Sequence, residues 1–245
     1  MAKNDVKLLG AWPSPYVLRA RVALNIKSVK YEFLEETMAP KSELLLQSNP
    51  VYKKIPVLIH GDKPICESLV IVQYIDEAWT SGPSILPSDP CDRAIHRFWA
   101  AYLDETWFPN MRGLLTAQGE ERKPLMDKLS EGTVLLEEAF GKCSKGKAFF
   151  GGGGIGYLDL AFGCFLGWLR VSEKITGMKL LDEAKTPRLV KWAESFCADA
   201  AVKGTMPETD KLLEFAKVLA AKMRGALLRI KLICVNNFSV DHGSS

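Results

Sequence analysis

The first 35 residues constrain the fold more than any other part of the chain. Val6-Lys7-Leu8-Leu9, ending at Gly10, is a short apolar run that reads as a strand. Between Pro15 and Lys27, Val17, Leu18, Ala20, Val22, Ala23, Leu24 and Ile26 make a segment that is apolar almost all round. As a helix it must be buried on more than one side. Tyr31-Glu32-Phe33-Leu34-Glu35 alternates like a second strand. Strand, helix and strand in that order predict a parallel pair joined by a right-handed crossover.

The pattern then repeats with a variation. Ser42 caps a short helix ending at Gln47, and Val57-Leu58-Ile59 is a strand. His60-Gly61-Asp62-Lys63 is a hairpin turn and Pro64-Ile65-Cys66 the returning strand. Glu67-Ser68 opens a helix that runs to Trp79. Two prolines, Pro50 and Pro56, bracket Lys53-Lys54, and Pro56 stands just before a strand, where a cis peptide is at home. Such a turn presents the Ile55 backbone sideways. The expected order is β-α-β-α-β-β-α, a small mixed sheet flanked by helices.

Beyond residue 80 no strand pattern remains. A Pro/Gly/Ser-rich stretch at 81–89 separates a first domain, 1–80, from a helical one, 90–223. The fold class is therefore α+β. Residues 91–116 are aromatic-rich and helical, and Pro109 predicts a kink or break within them. Lys123 to Phe140, Tyr157 to Ser172, Pro187 to Ala198 and Pro207 to Ala221 are further helices. Gly151 to Gly156 formally matches G-x-G-x-x-G but lies amid helices rather than after a first strand, so it is no dinucleotide site. It reads instead as a loop into a helix start, with Gly156 as cap, Asp159 as the acidic third residue and Ile155 with Leu160 as a hydrophobic staple. Residues 224–245 are an extension, helix or strand at 227–233 and a partly disordered tail after it.

Composition narrows the classes. A net charge of +3 with no arginine stripe among aromatics argues against nucleic acid. The longest uncharged apolar run, Leu160 to Leu169, is far below a membrane span. The six cysteines are widely spread with no C-x-x-C pair, which fits reduced thiols in a cytoplasmic protein. The three histidines have no metal-site spacing, so no metal is expected.

The chemistry gathers in the first domain. Trp12-Pro13-Ser14-Pro15-Tyr16 joins the first strand to the first helix, with Ser14 as N-cap and Pro15 as first helical residue. A helix start favours negative charge, so Ser14 can support an anion such as a thiolate. A plain capping serine fits the same spacing. Ser68 sits at a second helix start, Glu67 adds a carboxylate, and Lys41 and Lys54 flank the middle helix and the proline turn. Together they suit a short extended zwitterion carrying a thiol. Arg19 and Arg21 interrupt an apolar helix and read as ion-pair partners rather than catalytic groups.

These residues carry a resemblance. Trp12 to Arg19, Lys41-Ser-Glu-Leu-Leu45, Asn49 to Leu58, Glu67 to Ile75, Gly156-Tyr-Leu-Asp-Leu160 and Thr186 to Trp192 resemble plant glutathione S-transferases of the tau class. The likeness runs from about Val6 to about Met223. It implies a thioredoxin-like first domain, an all-helical second one, and a homodimer. It implies that Ser14 is the catalytic residue, that glutathione (a co-substrate, with no cofactor) contacts Ser14, Lys41, Lys54, Ile55, Glu67 and Ser68, and that Pro15, Tyr16, Phe108, Arg112, Trp168 and Phe215 line a pocket for hydrophobic electrophiles. Conjugation is then the expected reaction, with hydroperoxide reduction as a side activity. A non-catalytic carrier of hydrophobic ligands fits the same aromatics. A thiol transferase would want cysteine where this chain has Ser14.

Overall fold

The computed structural model describes residues 5–37 and 39–238. Its first part contains strand β1 (Val6–Gly10), helix α1 (Pro15–Ile26), β2 (Glu32–Glu35), α2 (Glu43–Ser48), β3 (Val57–His60), β4 (Lys63–Cys66) and α3 (Ser68–Ala78). The sheet order is β2-β1-β3-β4. β1 and β2 are parallel, while β1 with β3 and β3 with β4 are antiparallel. This is the expected thioredoxin-like arrangement. Side-chain alternation divides the sheet into two faces. Leu8 and Leu58 point toward α1 and α3, packing with Ala20, Leu24, Ile71 and Ile75; Leu9, Val57 and Ile59 pack with Leu45 of α2. At the end of β1, a Cβ on Gly10 would come within 2.5 Å of Val17 Cγ1, so only glycine lets the strand approach α1 this closely.

After α3 the chain crosses 79–89 under the control of one carboxylate. Asp76 is paired with the buried Lys27 ammonium at 2.7 Å and accepts the N–H groups of Ile85 and Leu86 at 2.9 Å each. Burial pushes its carboxyl up, but those three donors outweigh burial and hold it below the ordinary value.

The rest is helical among the described residues: α4 (Pro90–Tyr102), a π-helical turn (Leu103–Trp107), α5 (Phe108–Gly113), a 3-10 turn (Gly119–Glu121), α6 (Arg122–Cys143), α7 (Tyr157–Gly163), α8 (Leu166–Thr176), α9 (Pro187–Ala198) and α10 (Thr209–Phe238). Pro109 disturbs its helix as expected, by widening rather than bending alone. It has no N–H to give to Glu105 and its ring displaces that carbonyl; the turn before it opens, with Phe108 N–H reaching Leu103 C=O five residues back.

Two helices depart from the sequence reading. The helix expected from Tyr157 to Ser172 is two, α7 and α8. The Ala161 carbonyl, which an unbroken helix would bond to Phe165 N–H, instead accepts from Arg19 Nη2 at 2.7 Å. Phe165 N–H turns to Phe162 C=O at 2.9 Å, and the chain tightens there. The helix expected over Pro207 to Ala221 begins at Thr209 and runs on to Phe238, into the stretch read as an extension from 224. The tail at 239–245 lies outside the described residues.

The helical core is aromatic. Phe162 stacks on Trp192 at 4.8 Å, with Trp107 edge-on to Phe162 at 5.2 Å. The start of α7 has Asp159 as its anchor. Its buried carboxylate accepts Phe150 N–H and Trp192 Nε1–H on one oxygen and Gly151 and Gly156 N–H on the other, at 2.7 to 2.9 Å. Burial pushes this carboxyl up to about 6 against the pull of those four donors. Gly156 contributes only its backbone to the cap.

Candidate functional site

Ser14 is the N-cap of α1, in extended conformation at φ −81° and ψ 118°. Its Oγ accepts the Val17 N–H at 3.3 Å. One lone pair is thereby occupied, and the hydroxyl proton remains to be donated outward. The loop before it is held from both halves of the molecule. Trp12 N–H donates to Glu35 Oε1 at 3.1 Å, and Trp168 Nε1–H of α8 donates to Pro13 C=O at 2.8 Å.

Ser14 opens onto a cavity of about 500 Å³. Of the residues expected to contact a thiol peptide, Lys41, Lys54 and Ile55 line the same cavity. The Ile55–Pro56 peptide is cis, as the sequence suggested. Lys41 Nζ donates to Lys53 C=O at 2.7 Å, fastening the segment before α2 to the proline turn. Asn49 braces that turn from inside, donating to Lys54 C=O at 2.9 Å and accepting Tyr52 N–H at 3.1 Å.

Glu67 and Ser68 do not form part of this lining. They sit at the start of α3, where Glu67 is the exposed N-cap with φ +69° and Ser68 is buried. Ser68 Oγ accepts from Arg19 Nη1 at 3.2 Å, so this hydroxyl too has an acceptor site filled by the protein and a proton left to donate. Arg19 is wholly buried. It also makes a double bond pair with Asp104 of the π-helical turn, at 2.8 and 2.6 Å. Among the described residues the sequence reading as an ion-pair partner holds for Arg19 but not for Arg21, which donates instead to the Tyr31 hydroxyl at 3.3 Å and lies over the Phe33 ring.

The far wall of the cavity comes from the helical half. Phe108, Met111, Arg112 and Leu115 face it from α5 and just beyond, Trp168 and Ser172 from α8, and Phe215, Leu219 and Met223 from α10. All six residues expected to form an electrophile pocket, Pro15, Tyr16, Phe108, Arg112, Trp168 and Phe215, line it. Tyr16 stands edge-on to Phe108 at 5.7 Å and to Phe165 at 5.8 Å, and those two rings stack at 4.0 Å. Trp12 is edge-on to Phe215 at 5.5 Å, with Lys211 Nζ 4.7 Å from the Trp12 ring.

Sequence reasoning missed Glu36, Lys53 and Asn49. Glu36, buried at the cavity edge, accepts from the Ser42 hydroxyl at 2.5 Å and so bears on the cap of α2. The Asn-Pro pair before the basic residues was the one available signal for Asn49, since a buried asparagine before a tight turn commonly bonds its backbone. Glu36 had no signal in its neighbours. Among the described residues no group of His, Cys, Asp or Glu could hold a metal ion, and no helix is long and apolar enough to cross a membrane.

The sequence and fold both have relatives. Residues 4–77 match the family described as glutathione S-transferase, N-terminal domain. The chain is 65% identical over 224 residues to Glutathione S-transferase U17 of Arabidopsis thaliana, covering 91% of this chain and 99% of that protein. It is 64% identical over the same length to Glutathione S-transferase U18 of that plant, again covering 91% and 99%. The crystal structure of a tau-class glutathione S-transferase from mango, Mangifera indica, superposes with TM-score 0.86 at 70% identity, over 89% of this chain and all of that one. A rice glutathione transferase solved in complex with glutathione superposes with TM-score 0.83 at 35% identity, over 91% and 99% of the two chains.

Proposed function

The chain belongs to the tau class of the glutathione S-transferase family, and on that premise we propose that the Ser14 hydroxyl holds bound glutathione as its thiolate for attack on hydrophobic electrophiles. The observation that carries this reading is the single hydrogen bond from Val17 N–H into Ser14 Oγ, at the mouth of the apolar cavity.

A serine hydroxyl is far too weak a base to remove a thiol proton. Its service is to donate a hydrogen bond to the sulfur once the proton has left. A thiol of pKa ~8.5 is only ~3% ionised at neutral pH; a fall of ~2 units gives roughly 75% and requires about 2.7 kcal/mol. A hydrogen bond to a charged acceptor, about 1.5–3 kcal/mol, together with the start of α1, supplies that order of energy. The lowered pKa also blunts the sulfur, so the gain in rate is below the ~25-fold gain in thiolate. Holding the electrophile beside the sulfur provides the remainder.

The tripeptide lies across the first domain in this reading. Its thiol is at Ser14 and its backbone pairs with Ile55. One carboxylate meets Ser68 and the start of α3, the amino group meets Glu67, and the other carboxylate meets Lys41 and Lys54. The arginine-anchored Ser68 hydroxyl, with a proton free to donate, favours that carboxylate position. Pro15, Tyr16, Phe108, Arg112, Trp168 and Phe215 receive the electrophile, and the mainly apolar wall suits flat hydrophobic acceptors. The same thiolate reduces organic hydroperoxides as a side activity. A first domain to about residue 80 and a helical one from residue 90 fit the change from sheet to helices, while the last helix carries the second domain past residue 223 to Phe238. Val51, Tyr52, Val70 and Phe98, all exposed, suit the interface of a homodimer. The free thiols of Cys66, Cys91, Cys143, Cys164 and Cys197 fit a cytoplasmic setting.

The test is Ser14→Ala, assayed for glutathione affinity and for conjugation of 1-chloro-2,4-dinitrobenzene. Affinity is kept within a few fold, while conjugation near neutral pH drops at least tenfold and its acid limb moves to higher pH. Unchanged turnover removes Ser14 from the mechanism. Negligible turnover in the unaltered protein, beside tight binding of hydrophobic ligands in the aromatic cavity, selects the carrier reading instead.

A further inference from the structure

Just past the end of β2 the first domain carries a buried carboxylate that the mechanism above does not use. Glu36 is 8% exposed, and its N–H donates to the Gly10 carbonyl at 2.6 Å, so its backbone is fixed against β1. Its side chain turns to the segment before α2. Oε1 accepts the Ser42 hydroxyl at 2.5 Å, and Oε2 accepts the Ser42 N–H at 3.4 Å. Ser42 Oγ in turn accepts the Leu45 N–H at 3.0 Å, and Leu45 packs with Leu9, Val57 and Ile59. Thr37 folds the stretch between, donating its hydroxyl to the Pro40 carbonyl at 2.7 Å. A chain of bonds therefore runs from the sheet through Glu36 and Ser42 into α2, and Lys41 is the residue next to its middle link. Lys41 Nζ is held in turn by the Lys53 carbonyl at 2.7 Å. Glu36, Lys41, Lys53 and Lys54 all line the first-domain side of the cavity.

We propose that Glu36 is a positioning residue for the glycyl carboxylate of glutathione: by fixing Ser42 it holds Lys41 where that carboxylate binds, and so it sets the preference for a thiol peptide whose C-terminal carboxylate is free. The inference rests on the placement of the tripeptide given above. The amino group and the carboxylate assigned to Glu67 and Ser68 share one carbon of the γ-glutamyl residue, so the carboxylate left for Lys41 and Lys54 is the glycine's. A carboxylate beside an anion site acts in two opposed ways. Its field repels the incoming carboxylate, while its bonds order the lysine that attracts it. Here the repulsion is weak, because Ser42 donors already face both Glu36 oxygens and three ammonium groups share the wall. The ordering is strong. With its backbone fixed at Ser42 and its ammonium at Lys53, Lys41 has little freedom left to lose when the ligand arrives. Anchoring outweighs repulsion, and loss of the Glu36 side chain weakens carboxylate binding rather than strengthening it.

The experiment compares glutathione with its glycyl monoethyl ester, each conjugated to 1-chloro-2,4-dinitrobenzene by the full-length enzyme. The ester keeps the thiol, the amino group and the γ-glutamyl carboxylate and lacks only the charge at glycine. In the unaltered enzyme its KM is expected to be about tenfold above that of glutathione. In Glu36→Ala this ratio is expected to fall about fivefold, through a rise in KM for glutathione alone, with kcat held within about threefold because Ser14 is untouched. A ratio preserved within about twofold overturns the proposal, since Glu36 then supports the fold without serving the carboxylate. A lower KM for glutathione overturns it too, since repulsion then outweighs anchoring. Ser42→Ala cuts the same chain of bonds from the other side, and the test stands on either variant if the other does not fold. It is expected to lower the ratio as Glu36→Ala does, and the double variant to lower it no further; independent, multiplying effects overturn the link. Failure of the tripeptide placement shows before any substitution, as equal KM values for the two thiols in the unaltered enzyme. That result removes the carboxylate from Lys41, and this proposal with it, while Ser14→Ala judges the thiolate separately.

Discussion

Replacing Arg19 by methionine tests the joint between the two halves of the molecule. The guanidinium is wholly buried and bonds Asp104 through both terminal nitrogens, the Ala161 carbonyl at 2.7 Å and the Ser68 hydroxyl at 3.2 Å. Methionine keeps most of the stem and loses every one of these bonds. Removing one partner of a buried pair costs about 3–5 kcal/mol, because the other charge is left without compensation. The Asp104 side chain is 26% exposed, and water reaches it in part, so the lower end of that range applies. The lost bond to the Ala161 carbonyl adds about 1 kcal/mol. The expected destabilisation of Arg19→Met is therefore about 4 kcal/mol, read by urea unfolding. Asp104→Leu alone should cost about 3 kcal/mol by the same argument. The double variant should cost less than the sum by about 2 kcal/mol, since neither charge is then stranded. Additivity within about 0.5 kcal/mol would refute the idea that the pair acts as one unit. A functional signature accompanies the loss. With no arginine to fill its lone pair, the Ser68 hydroxyl rotates freely, and KM for glutathione rises several fold while kcat changes less.

Two carboxylates elsewhere carry further predictions. In Asp159→Asn, the amide nitrogen cannot accept, so either rotamer strands two of the four N–H donors that now share the carboxylate. At roughly 1–3 kcal/mol for each buried unsatisfied donor, a loss of about 4 kcal/mol in urea unfolding is expected, and a loss below about 1 kcal/mol sinks the account. Asp76 governs the acid side. Its folded-state value lies below the unfolded one, so its contribution is present above the ordinary carboxylate range and is lost as pH falls through the folded value. Asp76→Asn should therefore be less stable at neutral pH and should flatten the loss of stability below about pH 4; parallel pH profiles for the two proteins would contradict this.

Local chemistry made the first half of the molecule readable in its sequence. The apolar run at Val6 to Leu9 and the alternation at Tyr31 to Glu35 announced the two parallel strands, Ser14 and Ser42 announced helix starts, and the hairpin at Gly61 followed from its turn residues. Each of these depends on near neighbours. The break between α7 and α8 does not. It arises because a carbonyl at residue 161 is claimed by an arginine 142 positions earlier, a partnership no local pattern announces. The same holds for the site. The cap at Ser14 and the proline turn were legible, and the aromatic wall came through resemblance. The partners of Arg19 and the brace from Asn49 are products of tertiary packing. Glu67 gave no hint of its positive φ, a conformation rare outside glycine.

The bond from the Trp168 indole to the Pro13 carbonyl joins residues 155 positions apart. Its consequence concerns modular exchange. A chimaera that grafts this sheet onto the helices of a distant relative would keep every residue of the serine-bearing loop and still let that loop sag, because the indole that suspends it belongs to the discarded portion. Recombination among such proteins should succeed where the graft carries a tryptophan at this place, and yield folded but sluggish hybrids where it does not.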